Sequence, residues 1–350
     1  MEMYPFAYLY DKVVTPDGRG VGDYTSLATA AASDILGDDT SRFDISDEGG
    51  DVFKYLWDGT GTDPGITALT VQLYKRINIG ATGFNIANRG LFYVIASGDD
   101  YFEITNAAGV GELNVVVTGG VINLCSSFLT YGTLTETLDF EPLSGQKFTH
   151  NDTVLDFATG KGLIMDEKTD VQMKGRLQIN SDGIIAYDYA IALLYGYSNC
   201  NLGQCQIIAN PDYSLVGAND VKMFWLAGYF SSYDLYGTDI DIDVTLGGNT
   251  AAAIHCTTLQ NCKVNALMRN ITGAAPSILL GLMTEAGVDK NRFDICFQCI
   301  NTTTGNLGEG AEFIAGANRN EVHGVIYSTD SGIELTDAGT NNNTTGLVIT

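Results

Sequence analysis

The fold is decided by Lys263-Val264-Asn265-Ala266-Leu267-Met268 and three later stretches of the same pattern. These are Arg292-Phe293-Asp294-Ile295-Cys296-Phe297, Glu321-Val322-His323-Gly324-Val325-Ile326 and Asn343-Thr344-Thr345-Gly346-Leu347-Val348. Each alternates with period two, and an Asn or Cys precedes it. Val264, Phe293, Val322 and Thr344 are 29, 29 and 22 residues apart, and an earlier run, Ile240/Ile242/Val244, begins 24 residues before Val264. Repetition on this scale marks stacked units, each burying its apolar face against its neighbours. Gly, Asn, Thr and Asp fill the gaps, so each unit is strands and turns. The pattern predicts an all-β chain wound as a single-stranded parallel β-helix, a solenoid.

Composition fits that expectation. Among 350 residues there are 41 Gly and 6 Pro, and charged residues make up only 17%, as tight corners between strands require. Apolar residues at 45% can fill a continuous core, which excludes a disordered chain. A net charge of −24 argues against a nucleic-acid partner, which needs a basic stripe to displace counterions. Seven cysteines, an odd number, cannot form a complete disulfide framework. The start, Met1-Glu2-Met3-Tyr4-Pro5, lacks the basic and apolar regions of an export signal, and no run reaches the ~20 apolar residues of a membrane span.

In chain order, residues 1–20 form an aromatic arm (Tyr4, Phe6, Tyr8, Tyr10) suited to docking or to pairing with the first rung. Residues 21–40 predict a capping helix over 26–35, with Leu27, Ala30, Ala31 and Ile35 on one face, ended by Gly37-Asp38-Asp39. Residues 41–350 read as the solenoid, with irregular early rungs over 40–150. Expected strands there are 70–73, 91–96, 101–104, 113–118, 121–124 and 135–140.

Gly20-Val21-Gly22-Asp23-Tyr24-Thr25-Ser26-Leu27-Ala28-Thr29-Ala30 resembles the opening of pectin-lyase-like right-handed β-helix proteins. Such openings occur in bacterial polysaccharide-active proteins and in tailspike or fibre proteins of tailed viruses. The resemblance covers about ten residues and implies a right-handed helix behind a capping helix. Through the tailspike branch it also implies three-fold assembly. A last rung that stops at Ile349-Thr350 is an open β edge, which favours a homo-oligomer as well.

Chemistry is expected on the outer face. Asp239-Ile240-Asp241-Ile242-Asp243 puts its isoleucines inward and three carboxylates outward. Aligning Ile240, Val264, Phe293 and Val322 gives three outer columns. The first reads Asp239, Lys263, Arg292, Glu321. The second reads Asp241, Asn265, Asp294, His323, Thr345, and the third Asp243, Leu267, Cys296, Val325, Leu347. Asp241, Asp294 and His323 are the candidate catalytic groups. Asp239, Asp243, Lys263, Asn265 and Arg292 are the candidate ligand-binding groups, with Trp225, Tyr229 and Tyr233 as aromatic platforms for sugar rings. A carboxylate and a base on opposite sides of a sugar bond suit glycoside hydrolysis, and carboxylates with Lys or Arg suit calcium-assisted elimination from a uronic acid. The competing reading of the charged columns is ordinary cross-strand ion pairs on a solvated face. Cys296-Phe297-Gln298-Cys299 is the one C-x₂-C and has no matching pair, so the cysteines are expected as buried thiols and no metal site is assigned. His150, in Thr-His-Asn-Asp, reads as a surface turn residue.

The expected function is a structural protein of a virion surface (tailspike, fibre or capsid decoration), made in the host cytoplasm. It would contact virion proteins through the arm and host polysaccharide through the outer face. No cofactor is called for, calcium being the one ion the carboxylates would suit. The alternative is a secreted polysaccharide lyase or glycoside hydrolase.

Overall fold

The computed structural model describes residues 10–18, 24–67, 70–73, 75–166, 168–181, 189–196, 201–210, 212–213, 220–229, 232–237, 241–242, 250–273, 278–301, 307–328 and 335–350. Most of the expected arm (residues 1–9 and 19–20), together with Asp239 and Asp243, lies outside them. The chain divides into two compact units. One holds Ala30–Phe128 with Met1–Lys12 and Leu143–Lys147, and the other Val13–Thr29, Leu129–Pro142 and Phe148–Thr350.

The first unit overturns the expectation of a single parallel solenoid. Its strands are antiparallel. Arg42–Gly49 pairs with Val52–Trp57, which pairs with Tyr101–Thr105, then Gly90–Gly98, then Arg76–Ile79 and then Ile122–Leu124. Ile122–Leu124 continues the segment that begins as Glu112–Val116, and Glu112–Val116 pairs back on Arg42–Gly49. The pairings make one eight-stranded order, with Glu112–Val116 at one end and Ile35–Gly37, beside Ile122–Leu124, at the other. Phe43, Tyr55, Phe84 and Phe102 fill the middle, with the Tyr55 and Phe102 rings stacked 5.0 Å apart.

Tight turns are the physical reason for the antiparallel pairing. Gly49, Gly50 and Asp51 all have positive φ, and Asp100 (φ 68°) follows Asp99 between Gly90–Gly98 and Tyr101–Thr105. Connections this short join only antiparallel neighbours, because a parallel pair needs a long crossover. Residues 70–73, expected as a strand, form turns instead.

In the second unit the chain passes back and forth between two sheets. One contains Gln172–Asn180, Asn201–Asn210, Ser232–Gly237, Lys263–Gly273, Arg292–Asn301, Glu321–Ser328 and Asn343–Ile349, each paired parallel to the next. The other contains Leu163–Ile164, Tyr189–Gly196, Asp220–Tyr229, Thr250–Gln260, Ile278–Thr284, Leu307–Phe313 and Leu335–Asp337, also parallel. The whole chain is thus several separate sheets, antiparallel and parallel, and not one β-helix.

The helix is shorter than expected, Leu27–Ala32, and Ile35 lies in the strand after it. Leu27, Ala30 and Ala31 are buried as expected. Glu136 accepts from the Leu27 N–H (2.5 Å), the Ala28 N–H (3.2 Å) and the Ser26 hydroxyl (2.6 Å). These are the N–H groups that a helix start leaves without intrahelical acceptors.

Candidate functional site

Four corners set the register of the outer face. Asn261, Lys290, Arg319 and Asn341 have φ between 53° and 60°, the left-handed region, and each sits two residues before a strand. The residue between corner and strand is Cys262, Asn291, Asn320 and Asn342 in turn. The last three form a ladder. Asn291 Nδ2 donates to Asn320 Oδ1 (3.0 Å), and Asn320 Nδ2 donates to Asn342 Oδ1 (3.2 Å). Each amide oxygen also accepts the backbone N–H of the equivalent residue before it, beginning with Cys262 (2.9 Å). Each amide group reaches a carbonyl as well: Leu259, Val288 or Ala317. A shift of one residue would break every one of these bonds, so the ladder pins the strands.

From that start, alternation sorts the side chains. Val264, Ala266, Met268, Phe293, Ile295, Phe297, Val322 and Ile326 are buried. Lys263, Asn265, Leu267, Arg292, Asp294, Cys296, Glu321, His323 and Val325 therefore face outward. Three columns run in register: Lys263, Arg292, Glu321; Asn265, Asp294, His323; and Leu267, Cys296, Val325. At the final strand the register slips by one. Asn343 follows Glu321, but Gly346 rather than Thr345 follows His323, and Val348 rather than Leu347 follows Val325.

Of the first members of the aligned columns, Asp241 alone lies among the described residues, and it does not stand beside Asn265. The strand beside Lys263–Gly273 is Ser232–Gly237, with Ser232 opposite Lys263 and Asp234 opposite Asn265. Asp241 pairs with Asp212 and Thr272. Thr272 is seven residues beyond Asn265, roughly 20 Å along an extended chain. Asp241 is thus separated from Asp294 and His323, which are direct neighbours.

Asp294 is held by two cations. Arg292 Nε donates to both of its oxygens (3.2 and 3.0 Å), and Lys263 Nζ lies 3.7 Å from Oδ2. The hydrogen bond and the negative charge of Asp294 push the Arg292 guanidinium further up from its ordinary value. His323 Nε2 lies 2.8 Å from Glu321 Oε1 but outside hydrogen-bond alignment. Its ring covers Gly346, where a Cβ would stand 2.2 Å from Nδ1. The strip is a mixed-charge surface with its acid tied down, suited to accepting and donating hydrogen bonds along several strands.

Of the aromatic candidates, Trp225 is half-buried in the second sheet, its indole N–H donating to Thr257 Oγ1 at 3.0 Å. Tyr229 ends the same strand, half-buried. Tyr233 is 1% exposed and donates to the Ala227 carbonyl, so it belongs to the core. His150 is no turn residue. It is buried in Lys147–Phe157, 2.9 Å from Thr130 Oγ1 and stacked on Phe148. Cys256 and Cys262 are buried, and Cys296 is half-exposed in the third column.

Glu321 closes the first column expected from sequence, whereas the hydrogen-bonded asparagine ladder and the cover of His323 over Gly346 were not singled out. Their signal is the recurring Ala-Gly pair four or five residues before each ladder Asn: Ala286-Gly287, Ala315-Gly316 and Ala338-Gly339. Among the described residues no group of three His, Cys, Asp or Glu is placed to hold a metal ion, and no helix is long and apolar enough to cross a membrane. Neither a protein-family model nor a curated protein matches the chain.

Proposed function

We propose that this is a structural protein of a tailed-virus surface that binds a host glycan through the outer strip of the first parallel sheet. One observation carries the reading: Lys263, Asn265, Arg292, Asp294, Glu321 and His323 stand in register across three neighbouring strands. Polar groups repeated at the ~4.8 Å strand spacing suit a long ligand with repeating hydroxyl groups. The similarity of Gly20–Ala30 to tailspike openings supports the viral setting. Binding is favoured over cleavage because Asp294 is engaged by two cations and Asp241 stands far along the strand.

The test is titration of purified protein with surface polysaccharide from host cells, beside a Lys263→Ala/Arg292→Ala variant, with gold-labelled antibody applied to purified particles. Saturable binding lost in the variant, and gold on the particles, are expected. Wild-type protein that binds none of the polysaccharide ends the glycan reading. New reducing ends or unsaturated products would replace it with the enzymatic one.

A further inference from the structure

The outer face has two kinds of column side by side. Lys263 and Arg292 are direct neighbours in register, each about half exposed (49% and 52%). Four residues further along the same strands, past Asn265 and Asp294, the outward positions are Leu267 and Cys296, and Val325 and Val348 extend that column. Leu267, Cys296 and Val325 are half-exposed, and Val348 is 55% exposed. An apolar column on the solvent side of a sheet, next to a charged one, is not what solvation alone would select.

Two like charges on neighbouring strands repel unless an anion lies between them. Asp294 supplies one, but its hydrogen bonds go to Arg292. Lys263 Nζ, at 3.7 Å, is beyond hydrogen-bonding distance from it. Lys263 thus shares Asp294 as an ion pair but makes no hydrogen bond to it, so its half-exposed ammonium keeps its N–H groups for an anion from outside. Asn265 and Asp294, between the two columns, match hydroxyl and amide groups.

We propose that this face takes an acidic glycan that also carries N-acetyl groups, the carboxylate at Lys263 and Arg292 and the acetyl methyls on the Leu267–Cys296–Val325 column. This rests on the glycan-binding reading above. The chain's charge of −24 opposes a polyanion at long range, but at physiological salt the Debye length is about 8 Å, so local contacts decide.

Four probes separate the two demands: hyaluronan octasaccharide (acidic, N-acetylated), oligogalacturonate (acidic only), chitin oligosaccharide (N-acetylated only) and dextran (neither). Titration calorimetry in 0.15 M salt is expected to rank hyaluronan first. Lys263→Ala should weaken that binding by about 10-fold or more, the loss of a charge-assisted hydrogen bond. Val325→Ser should weaken it by roughly 3- to 10-fold, and Leu267→Ser serves the same purpose if Val325→Ser does not fold. Oligogalacturonate binding as tightly as hyaluronan overturns the acetyl assignment, and chitin oligosaccharide binding as tightly overturns the cationic one. Dextran preferred over all three leaves glycan binding standing and sinks this inference. So does hyaluronan binding that none of these variants weakens. No binding of any probe overturns it too, while titration with host polysaccharide then decides the broader reading.

Discussion

Asn320 Oδ1 accepts two hydrogen bonds from Asn291, one from its backbone N–H and one from Nδ2, each 3.0 Å long. Both residues are almost wholly buried, so neither donor has water to turn to. Asn320→Ala would leave those donors without an acceptor and deprive the Val288 carbonyl of its 3.0 Å donor. The expected cost is on the order of 2–4 kcal/mol in a urea titration. A loss below about 0.5 kcal/mol, the level of an ordinary surface change, would show that the ladder does not hold the strands.

Gly324 and Gly49 both have positive φ, 126° and 90°, but very different surroundings. A Cβ at 324 would lie 1.7 Å from the Ile295 carbonyl oxygen, whereas one at 49 would meet nothing within 4 Å. Gly49→Ala should cost only the conformational strain, about 1–2 kcal/mol. Gly324→Ala must move backbone and should cost more than about 3 kcal/mol. Equal melting temperatures for the two variants would contradict the close approach of these strands.

Glu136 gives a pH signature. Burial raises its pKa above the ordinary 4.5, and the bonds from Ser26, Leu27 and Ala28 offset this only in part. Between 4.5 and the raised value the folded state holds a proton that the unfolded state has released. This contribution to stability is complete below 4.5 and lost as pH rises through the folded value. Glu136→Gln should therefore flatten the decline measured by denaturant melts from pH 4 upward.

His150 acts with the opposite sign over a neighbouring range. Burial lowers its pKa from 6.5 to about 3, so below 6.5 the unfolded chain takes up a proton that the folded chain refuses. Stability is lost as pH falls from 6.5 towards 3, by an amount on the order of a few kcal/mol at pH 4. His150→Phe, which keeps a ring beside Phe148, should remove that acid sensitivity. An unchanged slope between pH 6.5 and 4 would rule out a buried neutral imidazole.

Lys263 and Arg292, by contrast, are exposed, and their pairing with Asp294 is a surface contact. Lys263→Ala and Arg292→Ala should leave the unfolding midpoint unchanged while altering ligand binding. A clear fall in midpoint would mean that the strip serves the fold first.

The columns from Lys263 to Val325 were legible because the 29-residue repeat and strict alternation leave one register that buries Val264, Phe293 and Val322 together. The same alternation misled at Ile240, where apolar residues 24 positions earlier imitate a rung that Tyr233 and Leu235 in fact supply. Period two says which face is buried but nothing of the direction of the partner strand. Residues 40–150 therefore read as irregular early rungs, although Gly49-Gly50-Asp51 folds Arg42–Gly49 and Val52–Trp57 into a hairpin. His150 looked like a turn because its polar neighbours hid the alternation of Phe148 and His150, which breaks at Asp152 (φ 49°) and resumes at Thr153 and Leu155. Its burial depends on Thr130, twenty residues away.

The corners at Asn261, Lys290, Arg319 and Asn341 are separated by 29, 29 and 22 residues, yet Glu321 still faces Asn343 as Lys263 faces Arg292. Register is thus carried by a left-handed residue and the ladder side chain after it, not by the length of chain between corners. Segments on the far side of each turn can differ in length while the first outward column after each corner stays aligned. A lineage under pressure to alter one surface without disturbing another would find that freedom already present.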